Sequence, residues 1–134
     1  MLTVTIDRNI EDPVYEQVAD QIRLRIASGE LGPATPLPSV RQLAGNLGVN
    51  LNTIARAYRL LESEGFLVIR DRAGVVVAAP AGHIDISEHS KLLDQMRTTL
   101  ARLRQAGMAA DELLAIMRRE VLAMETADKE NNNG

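Results

Sequence analysis

The sequence predicts a mainly α-helical chain that carries one small β-hairpin and, after a short linker, two further helices. Apolar residues recur every three or four positions in five segments, with glycine or proline near the ends of those segments. Two β-prone runs flank a charged turn between the third and fourth segments. With 134 residues, the chain has room for one domain and a small appendage.

The first helix is predicted to begin at Asp12-Pro13, where an acceptor side chain precedes a proline that fits the first helical turn. An apolar residue then recurs at every fourth position, before a stop at Gly29: Val14, Val18, Ile22 and Ile26. Three prolines between residues 33 and 38 exclude helix there and predict an extended connection to the next element.

Two helices joined by a tight turn are predicted next. Ser39 and Gln42 have the spacing of a capping box, so we expect a helix from Ser39 to just before Gly48. The following apolar stripe ends near Gly65 and consists of Ile54, Ala57, Tyr58 and Leu61. This pattern predicts a helix-turn-helix.

A β-hairpin is predicted directly after these helices. Residues 66–69 and 75–78 are β-prone, and a charged turn separates them. Two strands alone are marginally stable in water, so we expect them to pack against the helices. Residues 1–6 are predicted to form a further short strand.

The boundary of the first domain is predicted at residue 79. Pro80-Ala81-Gly82 opens a linker that spans residues 80–86. Two helices are expected within residues 87–125, one from about Ser87 to Ala106 and one from about Ala110 to Met124. The polar residues 126–134 are expected to form a disordered tail.

The two C-terminal helices carry long apolar stripes, which consist of Leu93, Met96, Leu100, Leu103, Leu114, Met117, Val121 and Met124. Two helices of this length do not bury such faces against each other alone. We therefore expect the same hairpin of a second chain to cover them, giving a homodimer with a helical bundle at its two-fold axis. The alternative, in which these helices complete a monomeric core, stays open.

The composition excludes several functional classes. The chain has no cysteine, which removes disulfides, thiolate metal sites and cysteine nucleophiles. No nucleophile–base set and no glycine-rich phosphate loop occur, so we expect neither an enzyme nor a bound cofactor. The sequence shows no secretion signal and no run of about 18 apolar residues, so we expect a cytoplasmic protein that does not contact membranes.

One group of metal-ligating residue types lies in the linker region. His83, Asp85, Glu88 and His89 fall within seven residues, but their spacing matches no standard metal-binding pattern. A polar linker that leads into a capped helix explains the same residues. We therefore predict no metal site.

The second helix of the predicted helix-turn-helix has an outward face suited to DNA. With its apolar stripe in the core, the opposite face carries Asn52, Arg56, Arg59 and Ser63. Asn50, Leu51 and Thr53 lie at the helix start, where a recognition helix contacts base edges in the major groove. Arginine pairs well with guanine and asparagine with adenine, although a solvated helix face explains the same pattern.

The hairpin favours the DNA interpretation, because a helix, a helix-turn-helix and a hairpin in this order form a winged helix. Arg70 and Arg72 lie at its tip, where they are placed to reach phosphates or the neighbouring minor groove, with Asp71 between them. The formal net charge is -3, so a DNA-binding protein of this composition must concentrate its positive charge on one face.

Several short motifs occur together in residues 12–78. They are Pro13 with Tyr15 and Gln17, the block Leu37-Pro38-Ser39-Val40-Arg41, the pair Asn52-Thr53, and Arg56-Ala57-Tyr58 running to Glu62 and Gly65. With these motifs the chain resembles the N-terminal domain of the GntR family of bacterial transcription regulators. The two C-terminal helices resemble the dimerisation hairpin of the YtrA-like branch. This resemblance implies a homodimeric, sequence-specific binder of double-stranded DNA, commonly a repressor, without a large effector-binding domain.

The resemblance also implies roles for single residues. Arg41 matches the family's main phosphate or base contact, Ser39 a backbone contact at a helix N-terminus, and Gly74 the glycine of the wing. Leu51 stands where many members have arginine, and the wing lacks the usual threonine and aromatic residue. The candidate DNA contacts are Ser39, Arg41, Gln42, Asn50, Leu51, Asn52, Thr53, Arg56, Arg59, Arg70, Arg72 and Gly74.

A second function stays open at this point, namely a protein-interaction module whose winged helix no longer binds DNA and which pairs with other regulators. The net acidity, Leu51 and the weak match of the wing to the family motif favour it. If the protein responds to a small-molecule effector, the predicted architecture places that molecule between the winged domain and the C-terminal hairpin.

Overall fold

A computed structural model describes residues 2–70, 74–80 and 89–133, with the backbone alone for 126–133. These residues form five helices and a three-stranded antiparallel sheet, which confirms the mainly α fold. None of these helices has both the length and the apolar character needed to cross a membrane. In chain order the elements are α1 (Val14–Ala27), β1 (Pro36–Leu37), α2 (Val40–Leu47), α3 (Leu51–Ser63), β2 (Leu67–Arg70), β3 (Gly74–Val77), α4 (Ser90–Gln105) and α5 (Ala110–Asn133).

The predicted N-terminal strand is wrong, because side-chain amides of α1 hold this segment. Gln21 accepts a hydrogen bond from the Thr5 N–H at 2.9 Å and donates one to the Thr5 carbonyl oxygen at 2.6 Å. The buried Gln17 makes the same pair of bonds with the backbone of Asp7, each at 2.9 Å. These amides satisfy backbone groups that a neighbouring strand would otherwise pair. Val4 still reaches the core from this segment.

Helix α1 begins one residue later than predicted. Pro13 has φ -55 and ψ 147 and is the N-cap residue, so Asp12 lies outside the helix. The Pro13 carbonyl oxygen accepts hydrogen bonds from the backbone N–H groups of Glu16 and Gln17. Asp12 contributes its carbonyl oxygen instead, to the side-chain amide of Gln17 at 2.9 Å.

Helices α2 and α3 form the predicted helix-turn-helix. Ser39 and Gln42 make the complete capping box at the start of α2, with both hydrogen bonds at 3.0 Å. Gly48 ends α2 with φ 66 and ψ 37, a left-handed conformation that glycine adopts without steric cost. Asn50 then caps α3 by accepting a hydrogen bond from the Asn52 N–H at 2.8 Å.

The predicted hairpin is confirmed, and it is joined by a strand that the sequence did not predict. Strand β3 is central in the order β1-β3-β2, and Pro36 of β1 pairs with Val76. A proline is tolerated in β1 because this strand lies at the sheet edge, where one side of its backbone needs no partner. In the hairpin, Leu67 pairs with Val77 and Arg70 with Gly74.

The core lies between α1, α3 and the sheet, and it is aliphatic apart from Tyr58. The side chain of Tyr58 is fully buried, and its O–H donates to the Pro38 carbonyl oxygen at 2.7 Å. Tyr58 therefore connects the middle of α3 to the residue that precedes the cap of α2. The fully buried apolar side chains around it include Val18, Ile22, Ile54 and Leu61.

The two C-terminal helices meet at the predicted break. Gly107 has φ 108, and the Arg104 guanidinium donates to the Met108 carbonyl oxygen at 3.0 Å. The predicted first turn of α4 at residues 87–88 lies outside the described residues. Helix α5 continues to Asn133, which differs from the expected disordered tail. Residues 126–133 contain neither proline nor glycine, so no residue there interrupts the helical hydrogen bonds.

We expect Tyr58→Phe to lower the free energy of unfolding by about 1 kcal/mol, because the carbonyl oxygen of the half-buried Pro38 loses its donor. Urea denaturation measures this change. Tyr15→Phe is the matched control, since the Tyr15 hydroxyl bonds the exposed Glu16 side chain and its removal should have a much smaller effect.

The same pair of variants tests the ionisation of Tyr58. Burial raises the pKa of Tyr58 above its usual value of 10.0. The unfolded chain releases the Tyr58 hydroxyl proton at a lower pH than the folded chain does. The contribution of the neutral hydroxyl to the free energy of unfolding is therefore complete below pH 10 and decreases as the pH rises further. Above pH 10 the wild type should lose stability more steeply than Tyr58→Phe; parallel curves would contradict this.

Candidate nucleic-acid interface

The helix-turn-helix carries three arginines, and its acidic residue, Glu62, lies in the last turn of α3. Residues 31–61 contain Arg41, Arg56 and Arg59 but no aspartate or glutamate, although the whole chain has a net charge of -3. All three arginines are exposed, and no carboxylate in the described part of the chain forms an ion pair with them. We call these three residues the arginine face. The acidic balance of the chain therefore does not extend to this surface.

The N-terminus of α2 presents Ser39, Arg41 and Gln42 together. Ser39 and Gln42 are exposed, but their capping box already uses the Ser39 hydroxyl and the Gln42 side-chain oxygen as acceptors. The Gln42 side-chain N–H groups stay available as donors. Arg41 is the second residue of α2 and lies exposed in its first turn, where free backbone N–H groups also favour an anion.

The N-terminus of α3 presents a short polar surface with one apolar residue. Asn50 uses its side-chain oxygen to cap the helix, and its amide N–H groups stay available for another partner. Leu51 is 43% exposed, Asn52 is exposed and Thr53 is half-buried. These side chains can meet a flat hydrogen-bonding surface, with Leu51 offering an apolar contact.

Arg56 does not extend freely into solvent. Its guanidinium carbon lies 3.9 Å from the centroid of the Tyr15 ring, which places the cation over the aromatic face. Tyr15 is half-buried in the first turn of α1. The residues are 41 positions apart in the chain, so no local spacing rule pairs them. Tyr15 thus belongs to the site, a role that the sequence argument did not assign.

The hairpin forms the wing beside α3. Arg70 ends β2 opposite Gly74, whose φ of +82 suits glycine at the start of β3. The Ile69 N–H donates to a Glu62 side-chain oxygen at 3.2 Å, which connects the wing to the C-terminal end of α3. Arg72, a predicted DNA contact, lies outside the described residues.

Arg23 on α1 differs from the arginine face because acids neutralise it. Its guanidinium forms ion pairs with Glu64 at 2.6 Å and with Asp20, and it lies 5.7 Å from the Phe66 ring centroid. The pair with Glu64 joins α1 to the end of α3. Arg23 therefore has a structural role and adds no free positive charge.

Comparison with known proteins connects this geometry to a family. A family model described as "Bacterial regulatory proteins, gntR family" matches residues 14–77, from α1 to β3. A solved structure of YtrA from Sulfolobus acidocaldarius, a GntR-family transcription factor, is 40% identical, with a TM-score of 0.60. That match covers 73% of this chain and 97% of the other. The chain belongs to the GntR family. The resemblance predicted from the sequence motifs is thereby confirmed.

Other GntR-type relatives extend the comparison. YhcF of Bacillus subtilis, an HTH-type transcriptional regulator, is 33% identical over 102 residues, or 76% of this chain and 84% of YhcF. Rv1152 of Mycobacterium tuberculosis, also an HTH-type transcriptional regulator, is 42% identical over 73 residues. This match spans 54% of the present chain and 60% of Rv1152, less than two thirds of that relative.

A further GntR-like structure contains DNA. The DNA-binding domain of AraR, solved in complex with operator ORX1, is 30% identical, with a TM-score of 0.51. The match covers 57% of this chain and 96% of the AraR domain. The fold that carries the arginine face is therefore shared with a domain that has been solved on its operator.

The C-terminal helices of this GntR-family chain leave most of their apolar side chains uncovered. Among residues 89–125 only Leu113 is buried. Leu114 and Val121 are 67% and 61% exposed, and Leu92 on α4 is 59% exposed. Of the predicted interface residues, Met96 and Met124 are exposed as well, whereas Leu93, Leu100, Leu103 and Met117 are half-buried.

A shallow cleft of about 340 Å³ lies between α1 and α5, in the region where the sequence argument placed an effector. It is lined by Leu24, Arg25, Ser28, Glu30, Glu120, Ala123 and Met124. The described residues include no cluster of three or more histidines, cysteines or acids that would hold a metal ion. His83, Asp85 and Glu88 lie outside those residues.

Proposed function

We propose that the protein is a cytoplasmic, homodimeric, sequence-specific DNA-binding regulator that represses transcription at a palindromic operator. In this proposal residues 1–79 bind DNA, residues 80–86 link the domains, and the apolar stripes within the helical hairpin of residues 87–125 form the dimer interface. The arginine face carries the proposal, because it is exposed, makes no ion pair within the described residues and lies on a fold shared with operator-bound AraR.

Base contacts are assigned to the start of α3. Residues at the N-terminus of a recognition helix approach base edges, and the exposed Asn52 amide suits adenine. Leu51 has no hydrogen-bonding group and is 43% exposed, so it fits a thymine methyl group. The loss of an arginine–guanine pair at this position removes roughly 1–3 kcal/mol of discrimination relative to members that carry arginine.

Phosphate contacts are assigned to the start of α2 and to the wing. Arg41 projects beside the free N–H groups of the first helical turn, and these attract an anion together. Arg70 lies at the tip of the described part of the wing and reaches the neighbouring backbone. These contacts position the protein on the duplex without selecting a sequence.

The exposed apolar residues of α4 and α5 support the homodimer. Complete burial of a leucine or valine side chain contributes about 1.5–3 kcal/mol, so leaving Leu114 and Val121 in water is costly. A two-fold contact between two copies covers the same residues on both chains. The two recognition helices then contact half-sites about one or more helical turns apart, which calls for a palindromic operator. A dimer bound there obstructs other proteins from the same DNA, which favours repression.

We expect the wild type to bind a duplex selected from a random pool with strong salt dependence. If the dimer neutralises about eight to twelve phosphates, affinity should fall by several decades between low and moderate salt. Arg41→Glu should weaken binding to every duplex because it removes a phosphate contact and adds repulsion. Asn52→Ala should instead reduce preference at one base pair in each half-site by about 1–3 kcal/mol.

Fluorescence anisotropy with the selected duplex and a scrambled duplex measures both effects. Arg97→Ala is the control, because Arg97 pairs with Asp94 on α4, away from the helix-turn-helix. A wild type without salt-dependent DNA binding would refute the proposed function and favour the protein-interaction module. Equal losses by both variants on both duplexes would refute the division between phosphate and base contacts.

We expect Val121→Glu to convert the dimer to a monomer, because a carboxylate on each side of the interface would lose hydration and repel its copy. Arg119→Glu is the matched control: it also adds negative charge to α5 but lies about 160° around the helix from Val121. Light scattering at micromolar concentration measures the mass. A monomeric wild type, or two variants with the same mass, would contradict the assigned interface.

A further inference from the structure

The contact with Tyr15 distinguishes Arg56 from the other two residues of the arginine face. Arg56 is the member of this face whose guanidinium lies over an aromatic ring, at 3.9 Å from the ring centroid. Arg41 and Arg59 are exposed and have no such contact among the described residues. One cation of the surface is therefore held in place before any ligand arrives.

Tyr15, which contacts this cation, is itself held by contacts within the fold. Its ring packs against the hydrophobic core from the first turn of α1, and its hydroxyl donates to a Glu16 side-chain oxygen at 3.1 Å. A planar guanidinium stacked on a ring keeps its N–H edges free for hydrogen bonds. The stack therefore restricts the Arg56 side chain without using its donors.

The position of the stack separates Arg56 from the residues at the start of α3. Arg56 lies five residues after Leu51, which corresponds to about 7.5 Å along the helix axis. Its contact with Tyr15 holds the guanidinium on the side of α3 that faces the start of α1. When the first turn of a recognition helix enters the major groove, the sides of that helix face the phosphate backbones that form the groove walls.

We infer that Tyr15 is a positioning residue that holds Arg56 as a preformed phosphate-binding cation at the edge between α1 and α3. This inference rests on the proposed DNA-binding function and changes the expected role of Arg56 from a base contact to a backbone contact. Because the side chain is ordered in advance, the rotamer entropy lost on binding is smaller than for a free arginine. The exposed residues at the start of α3 then provide the sequence discrimination.

The test compares four variants on the selected duplex and on a scrambled duplex of the same length. Arg56→Ala should reduce the magnitude of the salt slope by about 0.9 for each subunit and weaken both duplexes about five-fold per subunit near physiological salt. Tyr15→Leu should weaken both duplexes by about two- to ten-fold, since only the stack is lost. Tyr15→Phe keeps the ring face and should match the wild type. Arg97→Ala should leave affinity and slope unchanged.

A measurement without DNA checks the stack itself. The ring current of the aromatic side chain at residue 15 should shift the NMR signals of the Arg56 side chain both in the wild type and in Tyr15→Phe. The shift should be lost in Tyr15→Leu, and the backbone signals of α3 report whether that variant keeps its fold.

Two results would overturn the inference while leaving the proposed function intact. One is a loss of preference at a single base pair in Arg56→Ala with unchanged binding to the scrambled duplex, which would make Arg56 a base contact. The other is wild-type affinity and slope in a folded Tyr15→Leu variant. A wild type that binds neither duplex in a salt-dependent way would overturn both the inference and the proposed function.

Discussion

The hydrogen bond from the buried Tyr58 hydroxyl to the Pro38 carbonyl oxygen fixes the two halves of the candidate interface relative to each other. Tyr58 lies in the middle of α3, and Pro38 directly precedes the Ser39 cap of α2. One buried contact therefore sets where the start of α2, with Arg41, lies relative to the exposed face of α3. A surface that must match the fixed geometry of a duplex needs such a constraint, because small displacements of its contacts cost affinity.

Charge is distributed in this chain so that an acidic protein retains a basic surface. Residues 31–61 contain three arginines and no acid, while Arg23 on α1 is neutralised by Asp20 and Glu64. Interactions between exposed charges fade over about 8–10 Å at physiological salt, so local charge matters more to a bound phosphate than the net value. The net charge of -3 thus does not oppose DNA binding at this face.

The parts of the fold that depend on neighbours in sequence were predictable. The capping box of Ser39 and Gln42, the turn at Gly48 and the apolar stripe of α3 all follow from short-range spacing, and the structure confirms them. Strand β1 was not predictable in this way, because two residues flanked by prolines become a strand only when β3 pairs with them. The N-terminal segment was mistaken for a strand because the amides of Gln17 and Gln21 that hold it lie elsewhere in the chain.

The same distinction applies to the site. Helical periodicity placed Asn52, Arg56 and Arg59 outside the core, and the structure leaves all three exposed. The use of Asn50 as a cap and the stack of Arg56 on Tyr15 required coordinates, because side-chain oxygens and rings have several alternative partners in a sequence. Periodicity located the apolar stripes of α4 and α5, and the structure shows that Leu114 and Val121 are the most exposed of their members.

We infer that the starts of α2 and α3 together face a DNA duplex. Amide chemical-shift mapping by NMR, with the selected duplex titrated into the full chain, tests this arrangement. We expect the largest shifts at residues 39–42 and 50–53, with only small shifts along α4 and α5. Shifts concentrated on α4 and α5, or spread evenly with none at the start of α3, would contradict it.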